Sequence, residues 1–153
     1  MITLVIALLL GGFIAQFAVT AEARPQCTKM EERRALDEAG KGLRSWMEVY
    51  SSYKRFAHCD DGAIAEGYSD SVVRLLAHNW AGLATLVALT RSDKAFEAFV
   101  LRDVDATANP DDLKLVVDNA GRRCEPAAAR LCPQIKQQAA DALKDIAALK
   151  GTR

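Results

Sequence analysis

The fold is decided by the segment CTKMEERRALDEAGKGLRSWMEVYSSYKRFAHC, residues 27–59. It contains two capping boxes, T-x-x-E from Thr28 and S-x-x-E from Ser45, a pattern typical of helix starts. Two glycines lie between the boxes, and glycine weakens a helix interior. The segment therefore predicts two helices, over 29–41 and 46–57.

One unbroken helix is the alternative, because the apolar residues of the segment also fit a single continuous stripe. A straight helix would place Cys27 and Cys59 about 45 Å apart, at 1.5 Å per residue. A disulfide spans only about 5.5 Å between Cα atoms. Bonds from Cys27 and Cys59 to Cys124 and Cys132 would not solve this, because the chain between Cys124 and Cys132 can span at most about 28 Å. Even with two disulfides added, that length falls short of the distance between Cys27 and Cys59. We therefore expect a helical hairpin with Cys27–Cys59 and Cys124–Cys132 bonds; an unbroken helix would leave Cys27 unpaired.

The rest of the chain also predicts helices, and no stretch alternates apolar and polar residues as a strand does. Further helices are expected to begin at Asp60-Asp61-Gly62, Leu83, Ser92-Asp93, Asn109-Pro110 and Pro133. The fold class is therefore all-α, a small bundle of about five to seven helices stapled by disulfides. Residues expected to face the core include Leu36, Ala39, Trp46, Tyr50, Tyr53, Phe56, Ile64, Tyr68, Val72, Leu75, Leu76, Asn79, Trp80, Phe96, Phe99, Val100, Leu113, Val116, Ile135, Ala139, Ala142, Ile146 and Leu149. Gly67, in a helix interior, predicts close packing by another helix, under Trp46 or Trp80.

The first 23 residues are set apart by composition, because every charged residue of the 153-residue chain lies at or after Glu22. The uncharged run ends in small residues that suit a signal peptidase, after Ala23 or after Ala21. A membrane anchor is the alternative, but the run barely reaches the roughly 20 apolar residues needed and contains a glycine pair. We expect a signal peptide over 1–23, then one domain over 24–153, periplasmic or secreted.

Composition limits the classes of partner. Cleavage after Ala23 would leave one more basic than acidic residue, with both signs interspersed. This predicts no nucleic-acid binding and, after cleavage, no stable membrane insertion. The four cysteines form no C-x-x-C pair, and in an exported chain an even number favours disulfides over metal. We expect no cofactor and a partner that is another protein; the oligomeric state stays open.

The densest polar stretch surrounds the predicted start of the third helix. Its candidate ligand-binding residues are His58, Asp60, Asp61 and Glu66. A plain alternative is an N-cap, with acids on the helix dipole and Glu66 on a solvated face. Only two histidines exist in the chain, so no metal-ligand spacing is recognisable and no metal site is predicted.

Two further polar patterns are present. Asp70, Arg74 and His78 are four residues apart and predict a row of contacts on one helix face. The series Asp103-x-Asp105-x-Thr107-x-Asn109-x-Asp111 resembles a calcium loop. It lacks the glycine and glutamate of an EF-hand, so a helix connection with an asparagine cap is the expectation. No recognised catalytic motif occurs, and no catalytic residue is assigned.

From Ser45-Trp46 through HCDDGAIAEGY (residues 58–68) to Asn119-Ala120 and Cys124, the chain resembles uncharacterised exported bacterial proteins. More distantly, it is similar to periplasmic immunity proteins that neutralise type VI secretion amidases. The resemblance implies a periplasmic protein-binding module, and more specifically an immunity protein that neutralises a secreted effector. The alternatives are a helical domain that binds a small ligand or metal near Asp60 and Glu66, and a cell-wall-acting enzyme. That enzyme would use Glu66 or Asp70 as general acid, which requires a buried carboxyl.

Overall fold

The computed structural model describes residues 26–151 and contains seven α-helices, with no strand in that range. In chain order they are α1 (Lys29–Lys41), α2 (Trp46–Phe56), α3 (Gly62–His78), α4 (Leu83–Ser92), α5 (Lys94–Arg102), α6 (Pro110–Arg122) and α7 (Leu131–Gly151). Three short 3₁₀ turns precede α3, α4 and α7, at Ala57–Cys59, Trp80–Gly82 and Pro126–Ala128. The all-α prediction is confirmed, while the signal peptide predicted over 1–23 lies outside the described residues.

The predicted break between α1 and α2 is confirmed. The Thr28 hydroxyl accepts a hydrogen bond from the Glu31 N–H at 3.3 Å, and the Glu31 carboxylate accepts from the Thr28 N–H at 2.9 Å. Gly42 ends α1 with a φ of 73°, a left-handed conformation that favours glycine. Ser45 then caps α2, because its hydroxyl accepts from the third residue of that helix.

The predicted cysteine pairing is also confirmed. Cys27 bonds Cys59 with their Cα atoms 4.9 Å apart, and Cys124 bonds Cys132 at 6.1 Å. The first bond closes the α1–α2 hairpin, and the second ties the end of α6 to the start of α7. Both bonds are compatible with an oxidising compartment.

The core is centred on α3, which packs against α1, α2 and α6. Tyr68 of α3 is fully buried, and its hydroxyl hydrogen-bonds Ser52 Oγ of α2 at 2.9 Å. An aromatic cluster joins α2, α3 and α5, with ring centroids 4.8–6.2 Å apart; its members are Tyr50, Tyr53, Tyr68, Phe96 and Phe99. No single helix among the described residues is long and apolar enough to cross a membrane. One pair of consecutive segments, Gly62–His78 and Trp80–Ser92, reaches that length and apolar character together, but it is bent by 100°.

Three residues predicted to face the core do not. Leu36 is 43% exposed because α1 turns its small residues, Ala35 and Ala39, toward the core instead. Leu149 is 67% exposed because the buried residues of α7 end at Ala142. Asn79 is exposed, and it lies at the end of α3 rather than on its inner face.

Gly67 lies where another helix packs closely, as predicted, but the neighbour is not a tryptophan. A Cβ atom built on Gly67 would lie 2.7 Å from Ala39 Cβ and 3.0 Å from the Ala39 carbonyl carbon. The prediction of Trp46 or Trp80 at this position is therefore wrong, because α1 itself fills the space. Trp46 packs over a different glycine, Gly82, where a Cβ atom would lie 3.2 Å from its ring.

Candidate functional site

The predicted ligand-binding residues lie around the start of α3, and two of them, His58 and Asp61, line one cleft of about 410 Å³. His58 lies in the preceding turn, with Nε2 3.4 Å from the Glu31 carboxylate. Asp61 caps α3 by accepting a hydrogen bond from its first N–H at 2.8 Å. Glu66 is exposed on α3, and Asp60 is buried beside Arg102. Asp60 and Glu66 do not line the cleft of His58 and Asp61, so the structure brings together two of the four predicted residues.

Glu31, His58 and Cys59 place their potential metal-ligand atoms within 4.8 Å of one another. Cys59 is bonded to Cys27, so its sulfur is not available as a thiolate ligand. Glu31 already accepts hydrogen bonds from both Thr28 donors, and these, with His58, lower its pKa to about 2. These residues therefore fasten α1 to the turn before α3 in the oxidised protein.

The calcium-like series from Asp103 to Asp111 does not form one site. Asp105 accepts hydrogen bonds from Ser69 of α3 and from the Thr107 N–H, so it orders the loop between α5 and α6. Asn109 caps α6 by accepting from the Asp111 N–H at 2.8 Å, as predicted for a helix connection. Only Asp103 of this series is buried, and the charges of both Asp60 and Asp105 act on its carboxyl.

Asp60 and Asp103 form a buried acidic pair that was not predicted from the sequence. Their side chains are 4% and 3% exposed, and both approach Nη2 of Arg102. Burial raises the pKa of Asp60. Burial, with the nearby charge of Asp60, raises the pKa of Asp103 to about 8. The sequence contains a signal for the burial of Asp103, because this residue continues the helical spacing of the buried residues Phe96, Phe99 and Val100.

The three residues predicted to form a row of contacts on α3 do not all contact one another. Asp70 and Arg74 form an ion pair at 2.9 Å, as expected for residues four apart. His78 instead contacts Asp112 of α6 at 2.8 Å, so it joins two helices. Asp70 and Glu66 are both exposed, so the burial that the enzyme hypothesis requires is not found at either carboxyl.

A cleft of about 510 Å³ lies between α1 and α2, and we call it the α1–α2 cleft. Its apolar lining includes Leu43, which is buried, and Met47, which is 54% exposed. Its charged rim comprises Glu38, Lys41, Arg44, Glu48 and Arg55. Arg55 and Glu38 span the two helices through an ion pair at 2.6 Å. An apolar floor within a charged rim is the arrangement found in protein–protein interfaces.

No protein-family model, no curated protein and no solved structure matches this chain.

Proposed function

We propose that this chain is a periplasmic protein-binding module that holds its partner in the α1–α2 cleft. The observation that carries the proposal is Met47, a large apolar side chain that is 54% exposed within a cleft of about 510 Å³. Methionine is unbranched and polarizable, so it adapts to an incoming apolar side chain at little cost. The two disulfides support a location outside the cytoplasm.

The rim of the cleft defines the chemistry of the partner. Arg44 is exposed, and within the described chain its backbone N–H donates a hydrogen bond to Glu48 while its guanidinium donates none. Lys41 and Arg55 are already paired with Asp37 and Glu38. The partner therefore presents an apolar side chain to Met47 and a carboxylate to Arg44.

The specific form of this proposal is that the partner is a secreted effector and the chain is its immunity protein, as the resemblance to that class implies. An immunity protein must leave the effector inactive while bound. Cells that express a toxic effector in the periplasm should therefore survive only when the chain is exported with it. The Met47→Glu variant should lose that protection, because it places a charge on the apolar floor.

Photocrosslinking tests the surface directly. A photoreactive amino acid at position 47 should capture one discrete partner in the periplasm, and a Met47→Glu substitution should remove the co-purifying partner. Leu115→Glu is the matched control, because Leu115 is 44% exposed but lies on α6, outside the cleft. Loss of the partner with Leu115→Glu, or its retention with Met47→Glu, would show that binding occurs elsewhere.

The location is tested separately by N-terminal sequencing of the protein from the periplasmic fraction. The mature chain should begin at Arg24 or at Glu22. A membrane-bound product that retains Met1 would contradict the proposed export and cleavage.

A further inference from the structure

The acidic pair of Asp60 and Asp103 presents two buried atoms that have no hydrogen-bond partner in the described chain. Oδ1 of Asp60 and Oδ2 of Asp103 are inaccessible to water and accept no hydrogen bond from any described residue. Unpaired buried polar atoms are rare because each costs free energy on folding. Two of them in one acidic pair indicate that the described side chains do not fully compensate both carboxyl groups.

The charges around the pair are out of balance by one. Arg102 hydrogen-bonds Oδ2 of Asp60 through Nη2, and the same nitrogen lies 3.8 Å from Oδ2 of Asp103. One guanidinium therefore faces two carboxylates. The other titratable groups that act on the pair are Asp61 and Tyr68 at α3 and Asp105 in the loop after α5. None of these supplies a positive charge, so a single additional positive charge would neutralise the pair with its arginine.

A proton fits this requirement better than a metal ion. A calcium ion takes six to eight oxygen ligands, and magnesium requires about six in octahedral order. The pair offers two unpaired oxygen atoms, beside a guanidinium that repels a metal cation. A proton needs only one oxygen to carry it, and it brings the single charge that is missing.

We propose that the pair of Asp60 and Asp103 holds one proton at neutral pH, carried by the Asp103 carboxyl, while the Asp60 carboxylate stays ionised beside Arg102. With this proton bound, the pair and its arginine carry no net charge where the turn before α3 meets the end of α5, 43 residues away in sequence. Loss of the proton in alkaline solution places two negative charges in the core and weakens this junction. The site is independent of the α1–α2 cleft, and its test does not rely on the proposed function.

The assignment of the proton to Asp103 follows from the two environments. Arg102 favours the charged form of Asp60 and opposes the rise in its pKa that burial causes. Asp103 is the more deeply desolvated of the two, and its pKa is raised to about 8 from the usual 3.8. The folded state therefore keeps this proton over a pH range in which the unfolded chain has lost it. Linkage then requires the unfolding equilibrium constant to increase with pH, by up to about tenfold per pH unit, until pH passes 8.

The test compares denaturant unfolding of the mature protein and of Asp103→Asn at pH 5, 6, 7, 8 and 9 in the presence of EDTA. The asparagine amide is uncharged, as the protonated carboxyl is, but it does not titrate. Relative to this variant, the wild type should lose stability steadily from pH 5 to 8 and then level off. Asp70→Asn, which removes an exposed carboxyl on α3, should keep the wild-type profile.

A carbon-13 NMR titration of the aspartate carboxyl carbons reads the proton directly and needs only the wild type, so it decides the matter even if Asp103→Asn fails to fold. One aspartate should titrate near pH 8. Titration of every aspartate below pH 5 would overturn the proposal. Stabilisation by calcium or magnesium chloride at pH 8 that disappears in Asp103→Asn would also overturn it, because the pair would then hold a metal ion.

Discussion

Replacement of Gly67 by alanine should destabilise the protein, although alanine is the better helix former. A methyl group at this position would lie 2.7 Å from Ala39 Cβ, and 3.0 and 3.1 Å from the Ala39 carbonyl carbon and oxygen. Carbon atoms prefer a separation of about 3.5–4.0 Å. Helices α1 and α3 would therefore have to move apart by about 1 Å, because a backbone carbonyl cannot rotate away as a side chain can.

The size of the effect follows from two opposing contributions. Alanine in a helix interior is favoured over glycine by about 1 kcal/mol. Overpacking of a tight contact costs about 1–3 kcal/mol, and contact with backbone atoms places Gly67→Ala near the upper end. The net loss is about 2 kcal/mol in the free energy of unfolding, or roughly 6–10 °C in melting temperature for a domain of this size.

Gly40→Ala is the matched control. Gly40 lies in α1, has no positive φ, and a Cβ atom built on it meets nothing within 4 Å. The same substitution should therefore stabilise the protein by about 0.5–1 kcal/mol. Thermal and urea denaturation of both variants measure the two signs.

A double mutant checks the cause of the Gly67→Ala effect. Ala39→Gly removes the methyl group that lies nearest to the added one, so it should recover part of the lost stability when combined with Gly67→Ala. Stabilisation by Gly67→Ala similar to that by Gly40→Ala would refute the reasoning, because α1 and α3 would then not be in contact at Ala39.

Two further predictions concern cross-links and charge. Replacing Cys27 and Cys59 with serine should lower the free energy of unfolding by about 4 kcal/mol, against about 2.5 kcal/mol for Cys124 and Cys132. The reason is that the first bond closes a separation of 32 residues and the second one of 8. Peptide mapping without reduction checks that the wild-type protein contains these two bonds. Glu97 on α5 is paired with Arg130. The hydrogen bonds from Arg130 are the main reason that the pKa of Glu97 falls to about 2 from the usual 4.5. The stability that this pair contributes is present above pH 4.5 and lost as pH falls toward 2. Arg130→Gln should therefore lower the free energy of unfolding at pH 7 and have much less effect at pH 2, whereas Arg122→Gln, in a more exposed pair with Asp118, should change it little at either pH.

The hairpin of α1 and α2 could be predicted because its signals are local. Each capping box needs only four consecutive residues, and the disulfide argument needs only helix rise and chain length. Gly67 was also recognisable as a close contact from its position in a helix. The residue that packs against Gly67 could not be predicted in the same way. The pattern of large apolar residues favours tryptophan as the packing partner, whereas the actual neighbour is one of the two buried alanines of α1.

The acidic pair could not be assembled from sequence for a related reason. Asp103 continues a buried helical face, yet its acidic side chain and the alternating series after it indicated a loop. Asp60 was identified as a candidate, but together with His58 and Glu66, which are its neighbours in sequence. The actual partner lies 43 residues away, and Arg102, which links the two, gives no local signal of this contact.

The shape of the α1–α2 cleft depends on contacts that lie outside it. The disulfide of Cys27 holds one end of α1, and the approach of Ala39 to Gly67 sets the distance of the other end from α3. At the end of α1, Arg74 of α3 donates a hydrogen bond to the Leu43 carbonyl at 3.3 Å and fills the space beside Gly42. Displacement of α1 by about 1 Å would therefore shift one wall of the cleft against Met47 on the other. Gly67→Ala should consequently weaken partner binding, although residue 67 does not contact the partner. Gly40→Ala should leave binding unchanged. This difference would connect the packing of α1 on α3 with the proposed function of the cleft.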